Sequence, residues 1–163
     1  MSKRTGLILA ILLAIAVVAA LVYVLTHTNP AASQLKELDA NLQKWQSQGI
    51  TRYEMKVHIG CFCPFADRMP LTVEVVDGKP VSVVDSQGQN VPADDPMRSF
   101  GNESLLTIEG LFDYTREAIQ TADQTKVSYD PDLGYPVSLS IDRIRQAADD
   151  ELGVQISDLH TLP

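Results

Sequence analysis

The only two cysteines of the chain, Cys61 and Cys63, are separated by one residue. Thiols this close together can form a disulfide, exchange with another disulfide or bind a soft metal such as copper(I). In an extended strand, residues two apart are separated by roughly 6.5–7 Å, which is at the limit of disulfide geometry. A bridge between Cys61 and Cys63 therefore requires a local bend, which Gly60 can help to form.

Three interpretations of this pair stay open. A structural disulfide is favoured if the cysteines lie outside the cytoplasm. A redox-active pair is less well supported, because the two-residue spacing and the helix N-terminus that lower a thiol pKa are missing. A copper site would add His58 or Met69 to the two thiolates. His58 weakens the copper interpretation, since it shares the polar side of a predicted strand with Glu54 and Lys56 and is better explained as a surface residue.

A second motif, Asp130-Pro-Asp132-Leu-Gly134, resembles the first half of a calcium-binding loop. The glutamate that closes an EF-hand loop is missing, because Ile141 occupies its position. The motif therefore predicts a turn. Elsewhere the sequence contains no Gly-rich phosphate loop, HExxH or GxSxG motif. We expect no enzyme activity, no cofactor and no dedicated metal site.

Residues 6–26 are predicted to form a transmembrane helix. Gly6 to Leu25 is an uncharged run of 20 residues, long enough to span a bilayer at about 1.5 Å per residue. Lys3 and Arg4 precede it, which places residues 1–5 in the cytoplasm, with the linker 27–32 and the domain 33–163 outside. The alternative, a cleaved signal peptide, is disfavoured because the apolar run is too long and a good cleavage site is missing.

The exported part is strongly acidic. Lys3 and Arg4 are two of the 13 basic residues, so 11 remain there against 21 acidic ones, a net charge of −10. This balance argues against binding nucleic acid or an anionic lipid surface. It would suit a basic partner or a divalent cation, but simple solubility explains it better.

The hydrophobic pattern predicts an α+β domain. Helices are expected from Ser33 to about Gln48 and from Thr107 onwards, each with a plausible N-cap. One-sided alternation predicts strands, and the hairpin after Val75 is expected to use a three-residue loop, residues 76–78. A long irregular loop is expected over 86–103. The order helix–strand–strand–strand, repeated once, predicts an antiparallel sheet with two helices on one face. The predicted strands are 52–59, 71–75, 81–83, 125–129, 137–141 and 153–159.

These motifs resemble a family of bacterial extracytoplasmic domains of unknown function, found on lipoproteins or behind one membrane helix. The likeness runs from about Leu42 to Leu159, and its most specific elements are CFCP at 61–64 and YD-x-x-x-GYP at 129–136. The chain departs from the lipoprotein members because it has no lipid-accepting cysteine. The resemblance brings no activity. Together with the strand pattern it marks a candidate binding surface, made of His58, Tyr129, Asp130, Asp132, Gly134, Tyr135 and Pro136.

The sequence alone leaves three hypotheses for function. The first is a non-enzymatic binding or interaction module, tethered to the cell membrane and facing an unknown envelope protein. The second is a thiol-based redox or copper-handling protein that uses Cys61 and Cys63. The third is an inhibitor of a secreted enzyme, which rests on analogy with other small α+β domains.

Overall fold

The computed structural model describes residues 11–19, 30–147 and 149–163. The chain separates into two units between Ser33 and Gln34. In the first unit, residues 11–19 are helical and every one of them is exposed. The remainder of the predicted transmembrane helix, residues 6–10 and 20–26, lies outside the described residues, as do residues 1–5. Within the described ranges, no helix combines the length and the apolar character needed to cross a bilayer.

The second unit is an α+β domain built on six antiparallel strands. Both halves of the chain run helix, strand, strand, strand, as predicted. The sheet order is β3-β2-β1-β6-β5-β4, so each half forms a three-stranded meander and the two meanders meet where β1 pairs with β6. The strands are β1 (Arg52–Gly60), β2 (Leu71–Val76), β3 (Lys79–Val84), β4 (Gln124–Tyr129), β5 (Pro136–Asp142) and β6 (Glu151–Thr161). The helices are α1 (Pro30–Ser47), α2 (Pro96–Ser99) and α3 (Ile108–Thr121), with 3₁₀ turns at Ala66–Arg68 and Phe100–Leu106.

Both long helices lie on the same face of the sheet. Tyr53 on β1 is fully buried, and its ring meets the ring of Trp45 on α1 edge to face at 5.5 Å. The Tyr53 hydroxyl also donates to Glu109 on α3 at 2.9 Å. The opposite face of the sheet carries the polar half of each alternating strand and is open to solvent, as the burial pattern of β1 shows.

The helix boundaries follow the predicted signals with one change. Thr107 caps α3, accepting a hydrogen bond from the Gly110 N–H at 3.0 Å. Helix α1 begins at Pro30, three residues before the predicted Ser33. Proline suits the first turn of a helix because its fixed φ is helical and its missing N–H would have no partner there. The last residues assigned to the linker, 30–32, are therefore helical.

The β2–β3 hairpin corrects the predicted register. Val76 pairs with Lys79, so the loop has two residues rather than three, and both Asp77 and Gly78 have positive φ. A shift in register after Glu74 then inserts one extra residue in β3. Because of this bulge, Val73 pairs with Val83, and both side chains are buried. The extra residue, Val81, is 57% exposed.

The segment predicted as an irregular loop is more ordered than expected. It contains α2, most of a 3₁₀ turn and a β-bridge between Val84 and Asn90. Arg68 fixes it in place by pairing with buried Asp85 and with Asp95, each at 3.0 Å. The pKa of Asp85 is held below its ordinary value, mainly by the Gln89 N–H and then by Arg68. Composition alone could not reveal this ion-paired cluster, because its members are far apart in sequence.

Candidate functional site

Strand β1 ends in a sharp bend closed by a disulfide. Cys61 and Cys63 are bonded to each other, with their Cα atoms 5.2 Å apart. This separation is shorter than that of an extended strand, and the chain bends at Cys61 and Phe62, as the sequence required. The predicted disulfide is therefore present in the structure, and it is compatible with both a structural and a redox-active pair. Since both sulfurs are bonded to each other, neither is available as a thiolate ligand in this structure.

Phe62 projects from this bend into solvent. Its side chain is 87% exposed, the highest value among the exposed large hydrophobic residues of the described chain. Three residues later, Phe65 is buried and meets the ring of Phe100 edge to face at 5.5 Å. The bend is thus fixed on one side by the disulfide and on the other by the packing of buried Phe65 against Phe100. These two anchors hold Phe62 at the end of the sheet.

A groove of about 550 Å³ lies beside Phe62 on the open face of the sheet. Its floor is a row of cross-strand neighbours that starts at Gly60, opposite Gly153 on β6. Gly153 in turn lies opposite Ser140 on β5, and Ser140 lies opposite Lys126 on β4. The first three positions carry no side chain or a small one, so the row forms a depression that ends at Lys126.

The next row of the sheet makes one wall of the groove acidic. Asp142 on β5 lies directly opposite Glu151 on β6, and Asp149 lines the groove beside them. None of these three carboxylates forms an ion pair with any residue that the structure describes. Like charges opposite each other on neighbouring strands are unfavourable, so this arrangement is not explained by stability.

Charges elsewhere on the open face are arranged differently. Lys56 pairs with Asp158 at 2.8 Å, and this pair lowers the pKa of Asp158. At the end of the sheet away from the groove, Arg52 pairs with Glu74 at 3.0 Å. Glu54 and Glu74 also lie opposite each other, but Glu74 pairs with Arg52 and Glu54 lies 3.7 Å from His160. The carboxylates beside Phe62 differ because they form no ion pair with a described residue, although Lys126 lines the same groove.

The remaining members of the copper hypothesis are not gathered into a site. His58 is exposed on the open face opposite Gln155, whereas Met69 is 8% exposed. Among the residues described, no group of three or more His, Cys, Asp or Glu is placed to hold a metal ion.

The Asp130 motif forms a turn, as predicted, and the turn packs on helix α1. The Asp130 carboxylate accepts hydrogen bonds from the backbone N–H of Asp132 and Leu133 at 2.9 and 2.7 Å. Gly134 has a φ of +83°, and a Cβ there would lie 2.7 Å from the carbonyl oxygen of Asn41 on α1. This close approach excludes any side chain at position 134 and explains the glycine.

The aromatic residues of the same motif face the helices. Tyr135 is 8% exposed and meets the ring of Trp45 at 6.0 Å, while Tyr129 stacks on Phe112 at 6.4 Å. Burial raises the pKa of both tyrosines. Pro136, the first residue of β5, is buried as well. Four of the residues assigned to a candidate binding surface, Tyr129, Gly134, Tyr135 and Pro136, thus pack into the domain, whereas His58 and Asp132 are exposed.

A partly buried hydrogen-bond network around Glu109 was not predicted from the sequence. Glu109, in the first turn of α3, accepts from the Trp45 indole at 3.0 Å and from the Tyr53 hydroxyl at 2.9 Å. The same hydroxyl accepts the Ile108 N–H at 2.8 Å. Burial and the neighbouring Glu109 charge raise the pKa of Tyr53. With both carboxylate oxygens bonded, Glu109 joins α1, α3 and β1.

Sequence reasoning also missed the acidic groove and the exposure of Phe62. The signals were present as Phe62 between the cysteines and as acids near the ends of β5 and β6. Only the pairing of β1 with β6 and of β6 with β5 brings them together.

Comparison with known proteins gives one result. A family model described as "Family of unknown function (DUF6174)" matches residues 37–161, from the first half of α1 to the last residue of β6. No curated protein matches the chain, and no solved structure matches it.

Proposed function

Since the chain belongs to the DUF6174 family, whose function is unknown, we propose one for this member. It is a single-pass membrane protein whose extracytoplasmic domain binds another protein of the cell envelope, without catalysing a reaction. The binding surface is the end of the sheet that carries Phe62 and the adjoining groove. The observation that carries the proposal is the 87% exposure of Phe62 on a bend held by a disulfide.

The exposure of Phe62 is costly for an isolated domain. Leaving such a side chain in water rather than burying it forgoes about 1.5–3 kcal/mol. Large aromatic side chains often supply much of the binding energy of a protein interface. The disulfide and the buried Phe65 fix the bend before a partner arrives, which lowers the entropy lost on binding. Phe62 therefore has the properties of a preorganised anchor for a partner's apolar pocket.

The location is supported by the N-terminal segment and by the cysteines. Residues 11–19 form a helix whose apolar side chains are all exposed, and they belong to an uncharged run of 20 residues. Lys3 and Arg4 precede this run, which is the arrangement that keeps an N-terminus in the cytoplasm. A disulfide between the only two cysteines suits a domain on the oxidising side of the membrane.

The proposal is tested by photo-crosslinking of the full-length protein in its native cells. A photoreactive phenylalanine analogue replaces Phe62 in one strain and Val81 in a control strain. Val81 is a suitable control because it is 57% exposed on the edge strand β3, away from the groove. We expect a discrete protein adduct from position 62 and none from position 81. If position 62 yields no adduct, or if both positions yield the same one, the proposed surface is wrong.

Topology is tested in cells whose cytoplasmic membrane is intact. After mild reduction, a membrane-impermeant maleimide should label Cys61 and Cys63, and without reduction it should label neither. Labelling that requires permeabilised membranes would place the domain in the cytoplasm and contradict the proposal.

If the crosslinked partner is a secreted enzyme that loses activity in the complex, the module acts as an inhibitor. If both thiols are labelled without reduction, the cysteines are free in the cell and the preorganised bend is excluded.

A further inference from the structure

We infer that the partner places a lysine or arginine side chain in the groove beside Phe62, against Asp142 and Glu151. This inference deepens the proposed function and rests on it, because it names the chemistry of the partner for the same surface. Three carboxylates and one lysine line the groove, and none of these carboxylates forms an ion pair within the part of the chain that the structure describes.

General solubility does not account for this arrangement. Acidic residues that only keep a domain soluble can be placed apart or beside a base, as Glu74 is beside Arg52 and Asp158 beside Lys56. Glu54 and Glu74 also lie opposite each other on adjacent strands, but Glu74 pairs with Arg52 and Glu54 lies 3.7 Å from His160. In the groove, Asp142 and Glu151 lie opposite each other without an ion pair to any residue that the structure describes. A cationic group bound between them would relieve their mutual repulsion, and the part of the free domain that the structure describes has no such group paired with them.

The shape of the groove fits a long basic side chain. The floor next to Phe62 consists of Gly60 and Gly153, so neither of these floor positions projects a side chain into the space between the bend and the acidic wall. Lysine and arginine carry a flexible aliphatic stem that can lie along such a floor while the charged end reaches a carboxylate. An apolar contact at Phe62 and a charged contact at the wall would then come from neighbouring residues of one partner.

Other occupants of the same surface fit less well. The domain carries a net charge of −10, which repels anionic lipid and nucleic acid. A second copy of this chain, docked symmetrically on the same surface, would bring two acidic walls together. A protein with an apolar pocket rimmed by basic residues satisfies both Phe62 and the carboxylates.

The test compares adduct formation from the probe at position 62 in three full-length backgrounds. One is wild type, one carries Asp142→Asn with Glu151→Gln, and the matched control carries Asp113→Asn with Glu117→Gln. The control removes the same two charges from exposed positions on α3. Adduct yield is normalised to the amount of protease-resistant full-length protein in each strain, which separates loss of binding from loss of folding.

We expect the groove variant to lower the yield about tenfold or more, and the α3 control to leave it unchanged. Raising the salt concentration in washed membranes should lower the wild-type yield as well. An undiminished yield in the groove variant would overturn the inference and leave the proposed function standing. Absence of any adduct in wild type would overturn the proposed function itself. A wild-type adduct with lipid, or with a second copy of this chain, would overturn the inference too.

Discussion

Asp142 on β5 and Glu151 on β6 are direct cross-strand neighbours, and neither has a basic partner among the described residues. Like charges directly opposite each other on neighbouring strands destabilise a sheet. They stand beside a groove floored by two glycines and beside an exposed phenylalanine. The two acids therefore lower the stability of the free domain, while they favour the binding of a basic partner. The first effect can be measured as a free energy of unfolding.

Neutralising one acid of the groove should stabilise the free domain. For Glu151→Gln we expect the free energy of unfolding to rise by about 0.2–1 kcal/mol, because repulsion from Asp142 is removed. The measurement is denaturant unfolding of the full-length protein in mild detergent, followed by the fluorescence of Trp45, the only tryptophan. The control change Asp158→Asn removes an acid that is paired with Lys56 and has no acid opposite it in the β1–β6 register, so it should give no increase. A loss of stability in Glu151→Gln would contradict the account of the groove.

The turn that packs on α1 should tolerate no side chain at Gly134. Gly134→Ala combines a positive φ with a Cβ placed 2.7 Å from the Asn41 carbonyl oxygen. Gly88 also has a positive φ, +77°, but a Cβ at that position would meet no atom of the described chain within 4 Å. Gly88→Ala should therefore cost only the backbone strain, about 1–2 kcal/mol. Gly134→Ala should cost about 1–3 kcal/mol more, and equal losses in the two variants would show that the close approach is unimportant.

Removing the Tyr53 hydroxyl should weaken the junction of the two helices with the sheet. In Tyr53→Phe, the buried Ile108 N–H loses its acceptor and Glu109 loses one donor. We expect a loss of about 1–3 kcal/mol in the free energy of unfolding. Tyr114→Phe serves as the control, since its hydroxyl only accepts a hydrogen bond from Arg143 on the surface, and it should change stability by less than about 0.5 kcal/mol. Similar effects of the two changes would argue against a stabilising network at Glu109.

Most of the fold could be predicted from the sequence because its strands are buried on one face and open to solvent on the other. In β1 the apolar and polar residues alternate without exception, so the sequence identifies both the strand and its buried face. Thr107 likewise marks the start of α3 through its side-chain cap. The predicted loop of the β2–β3 hairpin was wrong because a two-residue loop followed by a bulge beside Val75 also places Val83 on the buried face. A local pattern cannot distinguish a longer loop from a shorter loop followed by a bulge.

The candidate site was harder to predict than the fold. The importance of Cys61 and Cys63 could be read directly, since a disulfide between near neighbours depends on local geometry. Phe62 between them gave no sign of its exposure, because an aromatic residue is more often buried than exposed. The acidic wall depends on the pairing of β5 with β6. Its position beside Phe62 depends on the pairing of β6 with β1, which joins distant parts of the chain. The sequence shows which residues could form the site, but not which of them lie side by side in the folded domain.

Stability at low pH should depend on the cluster around Arg68. The pKa of Asp85 is lowered by the Gln89 N–H and by Arg68, and that of Asp95 by the Met97 N–H and by Arg68. A carboxyl group with a lowered pKa stabilises the fold fully above its unfolded pKa of about 4, and that contribution is lost as the pH falls through the lowered value. Wild type should therefore lose stability below about pH 4.

Asp85→Asn removes one of these titrations. The variant should be less stable than wild type at about pH 7, and its free energy of unfolding should fall less between about pH 5 and pH 2. The measurement is a series of denaturant titrations across this range, with the exposed change Glu117→Gln as the control that keeps the wild-type slope. If Asp85→Asn showed the same dependence on pH as wild type, the cluster would not be the source of acid sensitivity.

The central claim is that Phe62 and the groove beside it form a surface for binding an envelope protein. Its most direct measurement is the pattern of photo-adducts from full-length protein in native cells, with the probe at position 62 or at position 81. The account predicts one discrete protein adduct from position 62, none from position 81, and loss of the first when Asp142 and Glu151 are neutralised. No adduct from position 62, or the same adduct from both positions, would contradict it.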